Sequence, residues 1–190
     1  MPDSRSDGDR KQTCLAAVFH EAGQPLELRE FPLPRPAPGE ALVRVDCCTI
    51  CGSDLHTITG KRKESTPSIL GHEIIGTVAE IGDPPLCDVS GRPLRPGQRV
   101  TWSICVSCGA CDRCRSGLPQ KCRKLVKYGH SLAQGREALS GGMAEFVLLR
   151  AGTSVVRLDG ACHDDLVCPA SCSTATVAAA IRAGRSVQNR

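Results

Sequence analysis

Along much of the chain apolar and polar residues alternate with the two-residue period of half-buried strands. The run "ALVRVDCCTI" places Ala41, Val43, Val45 and Cys47 on one face and Arg44 and Asp46 on the other. "LAAVFHEAG" and "LELREFPLP" read as two short strands around a Gly-Gln-Pro turn, "HEIIGTVAEIG" (72–82) as a β-branched strand closed by glycine, and "AEFVLL" and "SVVRL" as two more. In "RPLRPGQRVTW" a Pro-Gly turn precedes a strand. Strands recurring between Gly/Pro turns predict a mainly β sandwich or barrel. Helical signals are few. "CGSDLHTI" starts a short helix at Ser53 or Asp54, both favourable N-caps. The Ala-rich "SCSTATVAAAIRAG" is the one longer helical pattern, closed by Gly184. Residues 1–13, polar and of mixed charge, read as a disordered leader. There is no internal repeat and no low-complexity tract.

Length and composition narrow the picture. A chain of 190 residues fits one domain of roughly 100–200 residues, and with only 3% aromatic residues its core must come from Val, Leu, Ile, Ala and Cys. The net charge of +4 is spread among acidic residues without the basic stripe that a phosphate backbone requires, so no nucleic acid partner is expected. "MPDSRSDGDRK" lacks the apolar region of a signal peptide, and no apolar run reaches the roughly 20 residues of a membrane helix. The expectation is a protein with no membrane partner in the reducing cytoplasm. Thirteen cysteines there call for a role other than disulfides, and metal binding leads.

The cysteines and histidines form three constellations. Cys108, Cys111, Cys114 and Cys122 follow the spacing C-x2-C-x2-C-x7-C. Two consecutive x2 gaps turn three sulfurs around one point, and the loop through "RSGLPQK" returns the fourth, which suits a closed structural zinc site. An iron–sulfur cluster uses the same donors and is the rival reading. Cys105 falls outside the set, as a plain buried thiol. The second constellation is "CTICGSDLH" followed by "LGHEIIG", with Cys51 and His72 as metal-ligand types each beside a glycine. Asp54 is placed to accept a hydrogen bond from the His72 ring, and Ser53 and His56 offer a hydroxyl and an imidazole for moving protons. "HEIIG" lacks the second histidine of the HExxH metalloprotease motif. In the third, "CPASCSTATVAAA", Cys172 opens the helical pattern and Cys168 competes with it. His20, His130 and His163 read as surface or structural, Cys14, Cys47, Cys48, Cys87 and Cys162 as core or incidental thiols, Trp102 as a packing anchor, and "KRKES" (61–65) as a solvated charge run.

Taken together, "CGSDLH", "GHEIIG", the cysteine run, "GGMAEFVLL" and "PASCSTATVAAAI" occur in an order that resembles the zinc-containing medium-chain alcohol dehydrogenase family, specifically its N-terminal GroES-like catalytic domain. The resemblance covers about 14–184. It implies a mainly β, partly open GroES-like barrel over 14–170, with a structural zinc lobe at about 105–125 and a terminal helix and tail over 171–190. It further implies a catalytic zinc held by Cys51, His72 and Cys172, although some relatives use a glutamate as third ligand. Glu73 matches an acidic residue that approaches that zinc, Ser53 the hydroxyl that takes the alcohol proton, and His56 the imidazole that passes it to solvent. The implied reaction is NAD(P)-dependent oxidation of a small-molecule alcohol to an aldehyde or ketone through a zinc-bound alkoxide.

Two zinc sites are therefore expected, but a dinucleotide site is not. No two glycines stand two residues apart, so the G-x-G-x-x-G turn is absent, as is a P-loop. The expectation is that the Rossmann cofactor domain is missing, the chain is inactive alone, and NAD or NADP binds only if a cofactor domain is supplied. Two readings compete: half of a split or truncated dehydrogenase needing a Rossmann-domain partner, or a non-catalytic zinc-binding module. A split enzyme should expose the Val177, Ala180, Ile181 face of its last helix.

Overall fold

The structure is a computed structural model that describes residues 12–158, 160 and 162–188. Of the leader read over 1–13, residues 1–11 lie outside the described residues, while Thr13 already opens the first strand. Ten strands form three antiparallel sheets. In chain order they are β1 (Thr13–Phe19), β2 (Glu27–Pro32), β3 (Ala41–Thr49), β4 (Ser68–Ile69), β5 (Glu73–Ile81), β6 (Arg99–Trp102), β7 (Cys105–Val106), β8 (Val126–Lys127), β9 (Phe146–Leu149) and β10 (Val155–Arg157). The helices are α1 (Gly52–Ile58), α2 (Asp112–Arg115), α3 (Asp164–Val167) and α4 (Ser173–Gln188). Each strand read from the sequence is present; the two-residue strands β4, β7 and β8 are too short for alternation to reveal.

The main sheet has the order β10-β6-β5-β3-β9, and a smaller one the order β2-β1-β4. They meet where Ala16 bridges Ala144 and the Ala17 N–H donates to Met143 O at 2.8 Å, which curves the pair into a mainly β barrel that does not close. Strand β3 stands between two hydrophobic clusters. Ala41 and Val43 face a core with Val78, Val100, Trp102, Tyr128, Val147 and Leu149, while Leu42 faces the other way, into a cluster with Val18, Ile69 and Leu139. Burial on both faces accounts for the apolar run at its start. The expected facing of its second half is corrected by a bulge between Val45 and Cys47. Beyond that bulge it is Cys48, not Cys47, that packs beside Val45 on the core. An extra residue in one strand exchanges its two faces.

Trp102 is the packing anchor expected, 6.1 Å from Tyr128 in an edge-to-face pair. The two helix readings are corrected at their ends. The cap of α1 is Cys51, with Asp54 at the third helical position accepting the Cys51 N–H at 2.9 Å. Gly184 does not close α4, which continues to Gln188; an interior glycine costs only about 1 kcal/mol. Among the described residues no single helix is long and apolar enough to cross a membrane.

A polar knot secures the sheet ends. The buried Glu40 carboxylate accepts the Ala37 N–H at 2.9 Å and an Arg136 N–H at 2.6 Å, with Arg150 at 3.6 Å. Burial opposes its ionisation, but the Arg136 hydrogen bond, the Ala37 N–H and the charges of Arg136 and Arg150 outweigh it and hold the carboxyl below its ordinary value. A folded-state value below the unfolded one contributes stability that is present above the ordinary carboxylate range and is lost as pH falls through the depressed value. Glu40→Gln should therefore unfold at lower temperature than wild type near neutral pH, and the gap should close in acid; thermal midpoints across that range check this.

Candidate metal centres

Two clusters of metal-ligand side chains form among the described residues, and in each the donor atoms lie within 4.8 Å of one another. They contain Cys108, Cys111, Cys114 and Cys122 in the first, and Cys51, His72, Glu73 and Cys172 in the second.

The first is built almost without a core. The hairpin β7–β8 closes its base, α2 is a single turn, and a 3-10 turn at Pro119–Lys121 brings Cys122 back. Sulfurs of Cys122 and Cys108 stand 3.5 Å apart, those of Cys111 and Cys114 3.5 Å, and those of Cys111 and Cys122 4.0 Å. A tetrahedral shell with zinc–sulfur bonds of about 2.3 Å sets sulfurs about 3.8 Å apart, and these three separations bracket that value. Backbone N–H groups point at the sulfurs: Cys108 and Lys124 each donate to Cys122 at 3.3 Å. The Arg123 and Cys114 N–H groups pull Cys111 down to about 6, whereas burial and the neighbouring Cys111 push Cys114 up to about 11. Crowded thiols cannot all ionise without a cation among them, and N–H donors aimed at sulfur favour the ionised form. Cys105 lies outside the set, half-buried in β7 rather than fully buried as expected.

The second cluster gathers its four donors from three stretches. Cys51 caps α1, His72 and Glu73 stand at the start of β5, and Cys172 sits between a 3-10 turn at Cys168–Ser171 and α4. The Cys51 and Cys172 sulfurs are 3.9 Å apart, again near the tetrahedral edge. Of the competing pair, Cys172 joins the donor cluster and Cys168 does not. Cys168 is fully buried, with its Sγ on Glu73 O at 3.0 Å and Cys47 O at 3.5 Å, whereas Cys172 faces Cys51.

Asp54 ties this cluster together. Its side chain is 0% exposed; Oδ2 accepts the Cys51 N–H at 2.9 Å, Oδ1 accepts the Gly71 N–H at 3.2 Å, and His72 Nδ1 lies 3.5 Å from Oδ1. Burial opposes the charge, but the His72 contact and the two N–H groups outweigh it and keep Asp54 below its ordinary value. In turn, burial would lower His72, yet the Asp54 carboxylate and the Cys51 sulfur raise it. Gly71 has φ of +88°, and a Cβ there would stand 2.7 Å from Cys48 Sγ, so only glycine lets the chain turn beneath the site. Burial would raise Cys51, but hydrogen bonds from Ser53, His72 and Cys172 pull it down. Burial and the Cys51 charge push Cys172 up to about 12. The pair repeats the pattern of the first cluster: one thiolate excludes a second until a cation stands between them.

The remaining candidates fall as follows. Ser53 Oγ is 3.4 Å from His72 Nε2. His56, three residues on along α1, is exposed to solvent. Sequence reasoning missed Thr49, whose hydroxyl donates to Glu73 Oε2 at 2.6 Å; the two are cross-strand partners, a relation with no local signature. It also missed the surroundings of His130, whose ring lies 4.9 Å from that of His72 and whose Nδ1 donates to Glu64 at 3.1 Å. The "KRKES" run is accordingly not a purely solvated face, because Glu64 is half-buried between His130 and Arg62. His20 pairs with Glu27 at the surface, and His163 precedes α3.

Comparison with known proteins agrees with the architecture. The profile of the family described as "Alcohol dehydrogenase GroES-like domain" matches residues 37–160. The chain is similar to the alcohol dehydrogenase notN of Aspergillus sp., at 32% identity over 162 residues that cover 83% of this chain and 44% of the relative. Among solved structures it is similar to an alcohol dehydrogenase from Thermotoga maritima, with a TM-score of 0.80 at 30% identity over 87% of this chain and 46% of that one. It is also similar to a zinc-binding dehydrogenase from Sinorhizobium meliloti bound to NADP, with a TM-score of 0.62 at 31% identity, covering 78% and 39%. The chain thus spans less than half the length of these relatives. With the partly open β architecture, two donor clusters and a family match over most of its described length, the chain belongs to the alcohol dehydrogenase GroES-like domain family of the zinc-type alcohol dehydrogenases.

Proposed function

We propose that the chain is the metal-bearing catalytic half of an alcohol dehydrogenase whose parent reaction oxidises a small alcohol to an aldehyde or ketone with NAD or NADP. The observation that carries this is the convergence of Cys51, His72, Cys172 and Glu73, from stretches up to 121 residues apart, within 4.8 Å. Two thiols, an imidazole and a carboxylate suit zinc with one exchangeable position. Cys51, His72 and Cys172 would hold the ion, with Glu73 as the exchangeable donor anchored by Thr49. A zinc ion bound there supplies a Lewis acid that favours loss of the alcohol proton. Cys108, Cys111, Cys114 and Cys122 would hold a second, structural ion, since all four positions are filled by sulfur.

The chain's own groups then handle the proton and the orientation. The Ser53 hydroxyl, beside the His72 edge of the cluster, accepts the alcohol proton, and exposed His56 on the same helix passes it to solvent. Asp54 keeps His72 in place. A nicotinamide, if supplied by a second domain, would be the acceptor for the hydride on the adjacent carbon as the C–O bond becomes a carbonyl. A cofactor-binding domain has to carry that nicotinamide, because the sequence has no G-x-G-x-x-G turn. The face of α4 with Val177 (58% exposed) and Ile181 (51% exposed) is the docking surface assigned to it, with Ala180 exposed beside them. The competing reading, a non-catalytic zinc module, keeps both ions and needs no such partner.

Purified without chelator, the protein should hold about two zinc ions per chain, with Cys108→Ser and Cys51→Ser each losing one by elemental analysis. About one ion, lost only in Cys108→Ser, would contradict the catalytic assignment. The chain alone should not oxidise alcohols, and should gain activity when mixed with a separately expressed cofactor domain. Ser53→Ala in that mixture should reduce kcat by about 10²–10⁴-fold with both ions retained. Absence of activity with every cofactor domain would favour the zinc module.

A further inference from the structure

The strongest feature outside the donor set is the turn that presses on the back of His72. Gly129 there has φ of +75°, and a Cβ on it would stand 2.5 Å from Gly71 O and 3.0 Å from His72 Cβ. Its N–H donates to Ser140 O at 2.7 Å, which seats the turn. Only a glycine permits so close an approach. The next residue, His130, lays its ring against that of His72, with centroids 4.9 Å apart and planes at 33°. Both side chains are buried, at 8% and 2% exposure. His130 is itself held, since Nδ1 meets Glu64 Oε1 at 3.1 Å and a carboxylate there can only accept. Glu64 is held by Arg62 Nε at 2.7 Å, and the Arg62 N–H returns to His56 O on α1 at 3.0 Å.

This second clamp answers a deficit in the first. His72 Nδ1 is buried and makes no well-formed hydrogen bond, its contact with Asp54 being 3.5 Å long. One long contact restrains the rotation of an imidazole about its last bond only loosely, and a ring face pressed on it completes the restraint. We propose that His130 is a positioning residue for the metal site: its ring, held by Glu64 and Arg62, fixes the orientation of the His72 imidazole so that Nε2 is aimed at the Cys51 and Cys172 sulfurs. The inference rests on the assignment of Cys51, His72 and Cys172 as metal ligands, and it concerns the ring face rather than any proton on His130.

The test uses the full chain loaded with cobalt(II), whose absorption reports ligand geometry, alongside zinc affinity by chelator competition. In wild type two sites should fill, and the lobe of Cys108, Cys111, Cys114 and Cys122 serves as internal control. His130→Ala should weaken metal binding at the Cys51 site by about 10–100-fold, the usual cost of losing an outer support, and should alter its cobalt spectrum while the lobe site is unchanged. His130→Phe keeps a ring face without the Glu64 bond and should restore most of the affinity. Glu64→Gln should fall between. Wild-type affinity and spectrum in His130→Ala would overturn the proposal, as would a loss shared equally by both sites or one that Phe does not rescue. If wild type fills only the lobe, the ligand assignment itself fails and takes this inference with it; if wild type fills both and His130→Ala is silent, only the inference fails.

Discussion

The site depends on one buried carboxylate. Asp54 accepts N–H groups from Cys51 and Gly71, which belong to different segments, and lies against His72. A charge removed from water is tolerable only when its hydrogen-bonding capacity is met, and these donors meet it. By meeting it they fix the start of α1 against the start of β5, and therefore the distance between Cys51 and His72. The helix start and the metal cluster are thus one arrangement: the residue that satisfies the Cys51 N–H also steadies the imidazole facing the Cys51 sulfur. Beneath it, the absence of a side chain at Gly71 lets Cys48 and the backbone close in.

The two clusters differ in what supports them, and this bears on what each can do. The second is embedded at the edge of the main sheet, where β3 supplies Thr49, β5 supplies His72's neighbour Glu73, and the buried Cys168 fastens the approach to α4 through Glu73 O. A ligand set held on rigid strands and a helix cap can leave one position open and keep its shape. The first has a two-residue hairpin and a one-turn helix, so sulfur and backbone N–H groups are most of its order. An ion bound in such a loop would replace the missing core, as a set of four thiolates suits. Both show the same electrostatic imbalance between adjacent thiols, one drawn down and one pushed up.

Much of this was legible in the sequence because it is local. The alternation in β3, the β-branched run of β5, the C-x2-C-x2-C-x7-C spacing, and the order of the "CGSDLH" and "GHEIIG" motifs are short-range patterns that survive without coordinates. What stayed hidden is tertiary. The bulge that exchanges Cys47 for Cys48 depends on register with β5. The preference for Cys172 over Cys168 depends on which sulfur reaches across 121 residues to Cys51. His130 and Glu64, 66 residues apart, carry no shared motif, and each alone reads as an ordinary surface group. Asp54 is visible in the sequence as a partner for His72, but its bonds to Cys51 and Gly71 are not, so its place as the third residue of α1 has no local signature that sets it apart from a cap.

If one buried carboxylate organises a mixed sulfur, nitrogen and oxygen site distinct from the all-sulfur lobe, neutralising it should empty that site alone. Zinc-edge X-ray absorption on wild type and on Asp54→Asn tests it most directly, because the amide nitrogen would face an N–H donor that the carboxylate oxygen accepted. Six sulfurs are shared between the two clusters, so wild type should show about three sulfur neighbours per zinc, at about 2.3 Å. Asp54→Asn should keep about one zinc per chain, surrounded by four sulfurs, as only the lobe remains filled. Two zinc ions with an unchanged average of three sulfurs in Asp54→Asn would contradict the account.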